Sequence, residues 1–183
     1  MLSEQHRQML KDIAKASIEH GLKYGQPLRL DLLTLPAELT VKRATFVTLE
    51  KHGQLRGCIG MLEAQRPLAE DIADNSFSAA FSDPRFPPLD EHELNDLDIH
   101  LSILSPAEPI LCQSEDDLIS HLRPNIDGLI LDDGRHRATF LPSVWESLTQ
   151  STDFVHHLKI KAGLAANYWS DELRAYRYTS ESF

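Results

Sequence analysis

Residues 44–60 read ATFVTLEKHGQLRGCIG, and this stretch decides the fold. Two runs rich in β-branched and large apolar residues flank Lys51, His52 and Gly53, and a Gly-containing turn between such runs signals a β-hairpin. Residues 128–142, GLILDDGRHRATFLP, repeat the outline of strand, Gly-containing turn and strand. Pro67 follows the first hairpin and Pro142 the second, each suited to start a helix because the first helical turn leaves its N–H groups unpaired anyway. The chain therefore reads as two copies of a β-β-α unit. Hairpins mixed with helices, without a regular βαβ alternation, predict an α+β fold with mainly antiparallel sheet.

The flanking segments fit this plan. Met9, Leu10, Ile13, Ala16 and Ile18 recur at near-helical spacing between Ser3 and His20, with Ser3 as N-cap and Gly21 just past the end. After Pro67, a stripe of Ala69, Ile72, Ala73, Ser76, Ala79 and Ala80 predicts a helix that packs close to a sheet. That helix must end before DPRFPP, where Pro84, Pro87 and Pro88 remove backbone donors. Ile99, Leu101 and Ile103 alternate with His100 and Ser102, so Leu97 to Leu104 reads as a half-buried strand closed by Pro106 and Pro109. In the second copy, Ser151 or Thr152 can cap a helix with Phe154, Val155, Leu158 and Ala162 inward and Gly163 as its stop. LRAYRY, residues 173–178, alternates like a final strand. No composition break separates domains, so residues 1–183 are expected to form one domain: an N-terminal helix over 1–24, a first unit over about 25–110 and a second over about 111–183.

Composition narrows the function classes. Lys and Arg number 18 against 28 Asp and Glu, so 18 − 28 gives a net charge of −10. Sequence-independent binding to DNA or RNA draws its affinity from cations neutralising phosphates, and an acidic chain argues against it. No run approaches the ~20 apolar residues of a membrane span, and the N-terminus lacks the order of a signal peptide, so a cytoplasmic protein is expected. Two cysteines, Cys58 and Cys112, are too few for a disulfide framework and are expected as free thiols. No CxxC, HExxH, Walker loop or GxGxxG occurs, and no tightly bound metal or dinucleotide cofactor is expected.

LRGCIG, residues 55–60, is the most unusual segment for chemistry. Strict strand alternation puts Arg56, Cys58 and Gly60 on one face and Leu55, Gly57 and Ile59 on the other. A guanidinium beside a thiol stabilises the thiolate, and glycines let a ligand approach the backbone, which makes Cys58 a candidate nucleophile. The alternative is that Cys58 is a small buried hydrophobe while Gly57 and Gly60 mark a bulge or tight packing. Nine histidines offer bases for such a thiol, but no spacing selects among His52, His100 and His136. Asp153 and His157 are four apart and could share a metal ion, although a surface pair explains them as well. In the Asp83-Pro84-Arg85-Phe86-Pro87-Pro88 turn, Asp83 can cap amides and Arg85 can offer a fork to an anion on a stiff rim. A helix stop with an internal Asp83–Arg85 pair explains the same residues. The small basic cluster of Arg135 and Arg137 suits a protected hairpin edge.

LRGCIG with FVTL before it and DPRFPPL after it resembles the AMMECR domain family. LSILSPAEPI, DGLIL, RATFLPSVW, HLKIKAGL and YRY follow in the family's order, so the resemblance covers nearly the whole chain from about Gly25. It implies an α+β fold of two pseudo-repeated units, a larger and a smaller lobe with a cleft between them, and a functional centre at LRGCIG. Carried over residue by residue, the implied centre is Leu55, Arg56, Gly57, Cys58, Ile59 and Gly60; with the residues read above, the candidate site has Cys58 as reactive thiol and Arg56, Gly57, Gly60, Asp83, Arg85 and His100 binding a substrate or partner. Many relatives carry Glu where this chain has His100. The resemblance further implies work beside a Memo-like protein and a radical-SAM enzyme, the AmmeMemoRadiSam system, as an enzyme component or as a non-catalytic scaffold. Nucleotide or RNA binding, the third reading, is opposed by the acidic charge.

Overall fold

The first hairpin forms as its turn chemistry dictates. β1 (Thr45–Lys51) and β2 (Gln54–Gly60) are joined by His52 and Gly53, whose φ values of 53° and 72° are the paired left-handed residues of a two-residue hairpin turn. α3 (Leu68–Phe81) follows with Pro67 at its N-cap, and β3 (Leu97–Leu104) pairs antiparallel with the other side of β1. β2 and β3 are thus both antiparallel to β1 and flank it, so β2-α3-β3 is a split crossover over the central strand. The computed structural model describes all residues from Met1 to Phe183, in two compact units.

Met1–Leu104 with Glu181–Phe183 make the first unit. α1 (Glu4–Tyr24) and α3 cover the face of the sheet that carries Val47, Leu49, Leu101 and Ile103, and the predicted small-residue stripe of α3 is buried there. A four-residue α2 (Ala37–Thr40) adds Leu39 to the same core. Ser3 caps α1 by accepting from the His6 amide, but the helix runs past Gly21 to a left-handed Gly25. Gly21 is no terminator: its missing Cβ makes room for the Phe77 and Phe81 rings of α3. One charged group is fully buried in this unit. Asp71 accepts from Thr45 Oγ1 at 2.6 Å, Asn75 Nδ2 at 3.0 Å and Arg66 Nε at 3.1 Å, tying α3 to β1, and burial raises its pKa against those bonds.

Ser105–Ser180 make the second unit. β4 (Glu108–Ile110), α4 (Glu115–His121), β5 (Gly128–Asp132), β6 (Arg137–Phe140), α5 (Ser151–Lys161) and β7 (Arg174–Tyr178) follow in order, and β8 (Ser180–Ser182) returns beside β3. The sheets run β2-β1-β3-β8 and β6-β5-β7-β4, so the repeated plan extends to strand order. Pro142 starts only a short 3-10 turn, Pro142–Glu146, which seats Trp145 in the core, and α5 begins nine residues later. Trp145 stacks on Phe154 at 3.8 Å between ring centres and donates to the Asp127 carbonyl. α5 has Gln150, with no side-chain bond, where Ser151 or Thr152 was expected to cap. α2, α4, β4 and β8 have no signature in the sequence pattern: each is short, and Pro109 inside β4 is tolerated because that strand lies at an edge.

Gly57 has no room for a side chain, because a Cβ there would run into the Ala79 carbonyl of α3. Since that obstacle is backbone, Gly57→Ala is expected to lower stability by roughly 1–3 kcal/mol, an overpacking cost, in urea unfolding followed by circular dichroism.

Candidate functional site

LRGCIG lies on an edge strand, and its geometry starts from a bulge. Thr48 faces Cys58 and Leu49 faces Gly57, but Glu50 faces Leu55, which leaves Arg56 as an extra residue on β2. The alternation that would place Arg56 and Cys58 side by side is broken at this point. Arg56 is buried, and its guanidinium is committed to Glu93: Nε donates to Oε1 at 3.0 Å and Nη2 to Oε2 at 2.9 Å, while Nη2 also donates to the Pro87 carbonyl at 3.0 Å. Glu93 itself caps the 3-10 turn Glu91–Asp96 and accepts from Lys51 Nζ at 3.2 Å. Chiefly through the Arg56 bond, its carboxyl is lowered from an ordinary 4.5 to about 2.

Cys58 is half-buried on the sheet face away from α3. Its Sγ lies 3.3 Å from Thr48 Oγ1 on the neighbouring strand. Its backbone N–H and C=O point away from β1, as they do in a non-hydrogen-bonded antiparallel pair, and would be orphaned at the sheet edge. The DPRFPP turn supplies both partners. Asp83 Oδ2 accepts the Cys58 N–H at 2.9 Å, and Arg85 Nη2 donates to the Cys58 carbonyl at 3.3 Å. Arg85 in turn holds the buried Asp83 carboxylate through Nε at 2.9 Å and Nη2 at 2.6 Å. That pairing keeps Asp83 well below the usual carboxylate range, and the same hydrogen bonds to Asp83 raise Arg85. The cation that contacts Cys58, through its backbone carbonyl, is therefore Arg85 rather than Arg56. The Phe86 ring lies between them, its centre 5.5 Å from the Arg85 guanidinium carbon and 5.9 Å from that of Arg56.

Gly60 answers to packing: a Cβ there would strike the Thr45 carbonyl and the Phe46 ring. His100 pairs with Thr48 on the far side of β1, so Cys58, Thr48 and His100 form one row across three strands. His100 Nε2 is 3.6 Å from Glu50 Oε2 on the same face. Two interstrand spacings, about 10 Å, separate His100 from Cys58, too far for a direct nucleophile–base hydrogen bond. His52, His136, His156 and His157 are engaged elsewhere. His52 is 4.0 Å from Asp96, His136 Nδ1 is 3.1 Å from Asp133 Oδ2, and His156 Nε2 is 2.7 Å from Glu115 Oε1. His157 meets the Asp153 carbonyl, not its carboxylate. Cys112 lies in the second unit, where burial and Asp117 push its thiol up.

Thr48, Glu93 and the Pro87 carbonyl were not singled out from sequence. Thr48 was recoverable by counting pairs from the turn, and Glu93 from the Asp90-x-x-Glu93 capping pattern, though nothing local ties Glu93 to Arg56.

The profile of the AMMECR1 family matches residues 11–183. The chain belongs to this family. A Methanothermobacter thermautotrophicus relative is 38% identical over 188 residues, covering 100% of this chain and 95% of its own. A Thermotoga maritima relative is 40% identical over 169 residues, 91% of each chain. Among solved structures, Uncharacterized Protein PH0010 from Pyrococcus horikoshii superposes with a TM-score of 0.87 at 31% identity, covering 95% of this chain and 88% of that one. The AMMECR1 fold thus carries the α+β architecture expected from the two hairpins.

The Arg56–Glu93 pair has a defined pH signature. A carboxylate with a folded pKa of about 2 against an ordinary 4.5 adds stability that is complete above about pH 5 and is lost as pH falls through that interval. Glu93→Gln is expected to cost about 3 kcal/mol at pH 7, because it strips a buried arginine of its counter-charge. The gap to the unaltered protein should close as pH falls toward 2, which urea unfolding at stepped pH measures.

Proposed function

We propose that the sheet face bearing Cys58, Thr48 and His100 is the binding face of a cytoplasmic, non-catalytic component that docks onto the Memo-like protein and the radical-SAM enzyme of its system. The observation that carries this reading is the Asp83–Arg85 clamp on the Cys58 backbone. It fixes the strand at the residue whose side chain faces away from the core, as a recognition surface requires, while the thiol's hydrogen-bond partner is a threonine rather than a base. His100 and Glu50 add titratable groups to the face without reaching the sulfur. No helix of the protein is long and apolar enough to cross a membrane. The second reading, a Cys58-dependent enzyme component, draws on Arg85, a cation held at the Cys58 carbonyl.

Pull-down of the two partner proteins separates these readings. Thr48→Arg, which places bulk on the face, should weaken capture by about thirtyfold, the ~2 kcal/mol of an interface hot spot, and Cys58→Ser should leave capture unchanged. Failure of the unaltered protein to retain either partner would end the docking proposal. A Cys58→Ser protein that binds normally yet abolishes function in cells would assign the face to thiol chemistry.

A further inference from the structure

We propose that the edge of β3 at Leu97 and Ile99 is an addition site for one more strand, taken by an extended acidic segment of a partner protein that runs antiparallel to β3 beside Lys11 and Lys15 of α1. The site uses the edge of the sheet rather than its Cys58 face, and does not rest on the assignment of that face.

The phase of the pairing decides which backbone groups are free. The Leu104 N–H donates to the Ala44 carbonyl at 2.9 Å, so Ser102, His100 and Asp98 also turn their backbone groups toward β1, while Ile103, Leu101, Ile99 and Leu97 turn theirs away. On that outer side Leu101 exchanges two bonds with Phe183, at 3.0 and 3.1 Å. Ile99 and Leu97 have no such neighbour, which leaves the N–H and C=O of Ile99 and the C=O of Leu97 open at the edge. A groove of about 300 Å³ runs beside them, with Gln8, Lys11, Asp12 and Lys15 of α1 on one wall and Leu97 to His100 on the other.

β8 shows which side chains the groove takes. Phe183 stands opposite Leu101, and Ser182 Oγ meets Ser102 Oγ at 3.0 Å on the far face, so Glu181 and Phe183 both point to the α1 side. There Arg7 donates to Glu181 Oε1 through Nε at 3.0 Å and Nη2 at 2.8 Å, and the Phe183 ring lies 5.5 Å from the Arg7 guanidinium carbon and 5.8 Å from Lys11 Nζ. The helix keeps step with the edge: Arg7 serves Glu181, Lys11 covers Phe183, and Lys15 follows one turn later. Four helical residues rise about 6.0 Å and two strand residues about 6.8 Å, so the step carries on to the positions opposite Ile99 and Leu97. Lys15 is exposed, and neither Lys11 nor Lys15 has a carboxylate in ion-pair range. Asp12, on the same wall, is engaged by the Gln8 amide at 2.9 Å, and Asp98 alternates onto the opposite face of the sheet. Carboxylates at two alternate positions of an added strand therefore repeat the Glu181–Arg7 contact against Lys11 and Lys15. Main-chain bonds to the edge supply affinity, and the alternate side chains supply specificity.

Titration of the protein with the peptide acetyl-Thr-Glu-Thr-Glu-Thr-amide, followed by backbone amide NMR, tests the proposal. Saturable shifts around Ile99, with its N–H protected from exchange, are expected at an affinity near the millimolar range. N-methylation of both glutamates, whose amides face β3, should weaken binding by about tenfold, whereas N-methylation of the second and third threonines, whose amides face away, should change it by no more than about twofold. Lysines in place of the glutamates should weaken binding by about tenfold, and Lys15→Ala should weaken the acidic peptide by about threefold with an unchanged thermal melt. The proposal fails if the lysine peptide binds as well as the acidic one or if both methylation patterns act alike. It also fails if the Ile99 N–H is protected only as the protein dimerises, which would give the edge to a second copy of the chain.

Discussion

The Cys58 backbone, clamped between Asp83 and Arg85, is the contact on which the first unit's site depends. A sheet edge exposes alternate N–H and C=O groups, and at β2 one such pair falls at the centre of LRGCIG. The protein closes it with side chains rather than with another strand. Asp83 accepts the amide most strongly as a carboxylate, and Arg85 keeps it one by hydrogen bonding to both oxygens. Two prolines following Phe86 limit the turn's freedom, which lowers the entropy of holding the clamp closed. This interdependence explains why LRGC and DPRFPP, 25 residues apart between Cys58 and Asp83, belong to one physical device.

The second unit provides an internal comparison. Counting outward from each turn, the pairs are Lys51–Gln54, Glu50–Leu55, Leu49–Gly57 and Thr48–Cys58 in one hairpin. In the other they are Asp133–His136, Asp132–Arg137, Leu131–Ala138 and Ile130–Thr139. Cys58 and Thr139 therefore occupy equivalent positions. The carbonyl of each accepts from a cation, Arg85 in one case at 3.3 Å and Lys161 in the other at 2.9 Å. Closing this edge position with a cation is thus a property of the repeated unit. The differences are the bulged Arg56, which has no counterpart in the second hairpin, and the fate of the side chain. Thr139 Oγ1 is tied to the Leu129 carbonyl and to Tyr178, while the Cys58 thiol meets only a neighbouring threonine on the sheet face.

The hairpins, the small-residue helix and the half-buried β3 were legible in the sequence because each is written in local periodicity and turn chemistry. The internal repeat was legible for the same reason, down to the Gly-containing turn. The bulge was not. Alternation carried unbroken through Leu55 to Gly60 assigns Arg56 to the thiol, and a single extra residue sends its guanidinium to Glu93 instead. Asp83 and Arg85 were recognisable as a pair within one turn, but their grip on Cys58 is set by tertiary approach, which spacing does not encode. Gly21 misled for a related reason: a glycine near a helix end reads as a stop, whereas here close helix packing requires it.

Arg56 and Arg85 divide the work that one arginine was expected to do. Arg85 supplies positive charge near Cys58, but its guanidinium is already spent on Asp83, so the net field at the sulfur is that of a paired ion rather than a free cation. Arg56 has the opposite character: it is locked to Glu93 on one side and unsatisfied on the other. A thiolate site needs unpaired positive charge beside the sulfur, and neither arginine supplies it, since Arg56 is paired with Glu93 and Arg85 with Asp83. The arginine of LRGCIG braces the segment from Pro87 to Glu93 against the strand, and its cysteine marks the face that the clamp holds in place.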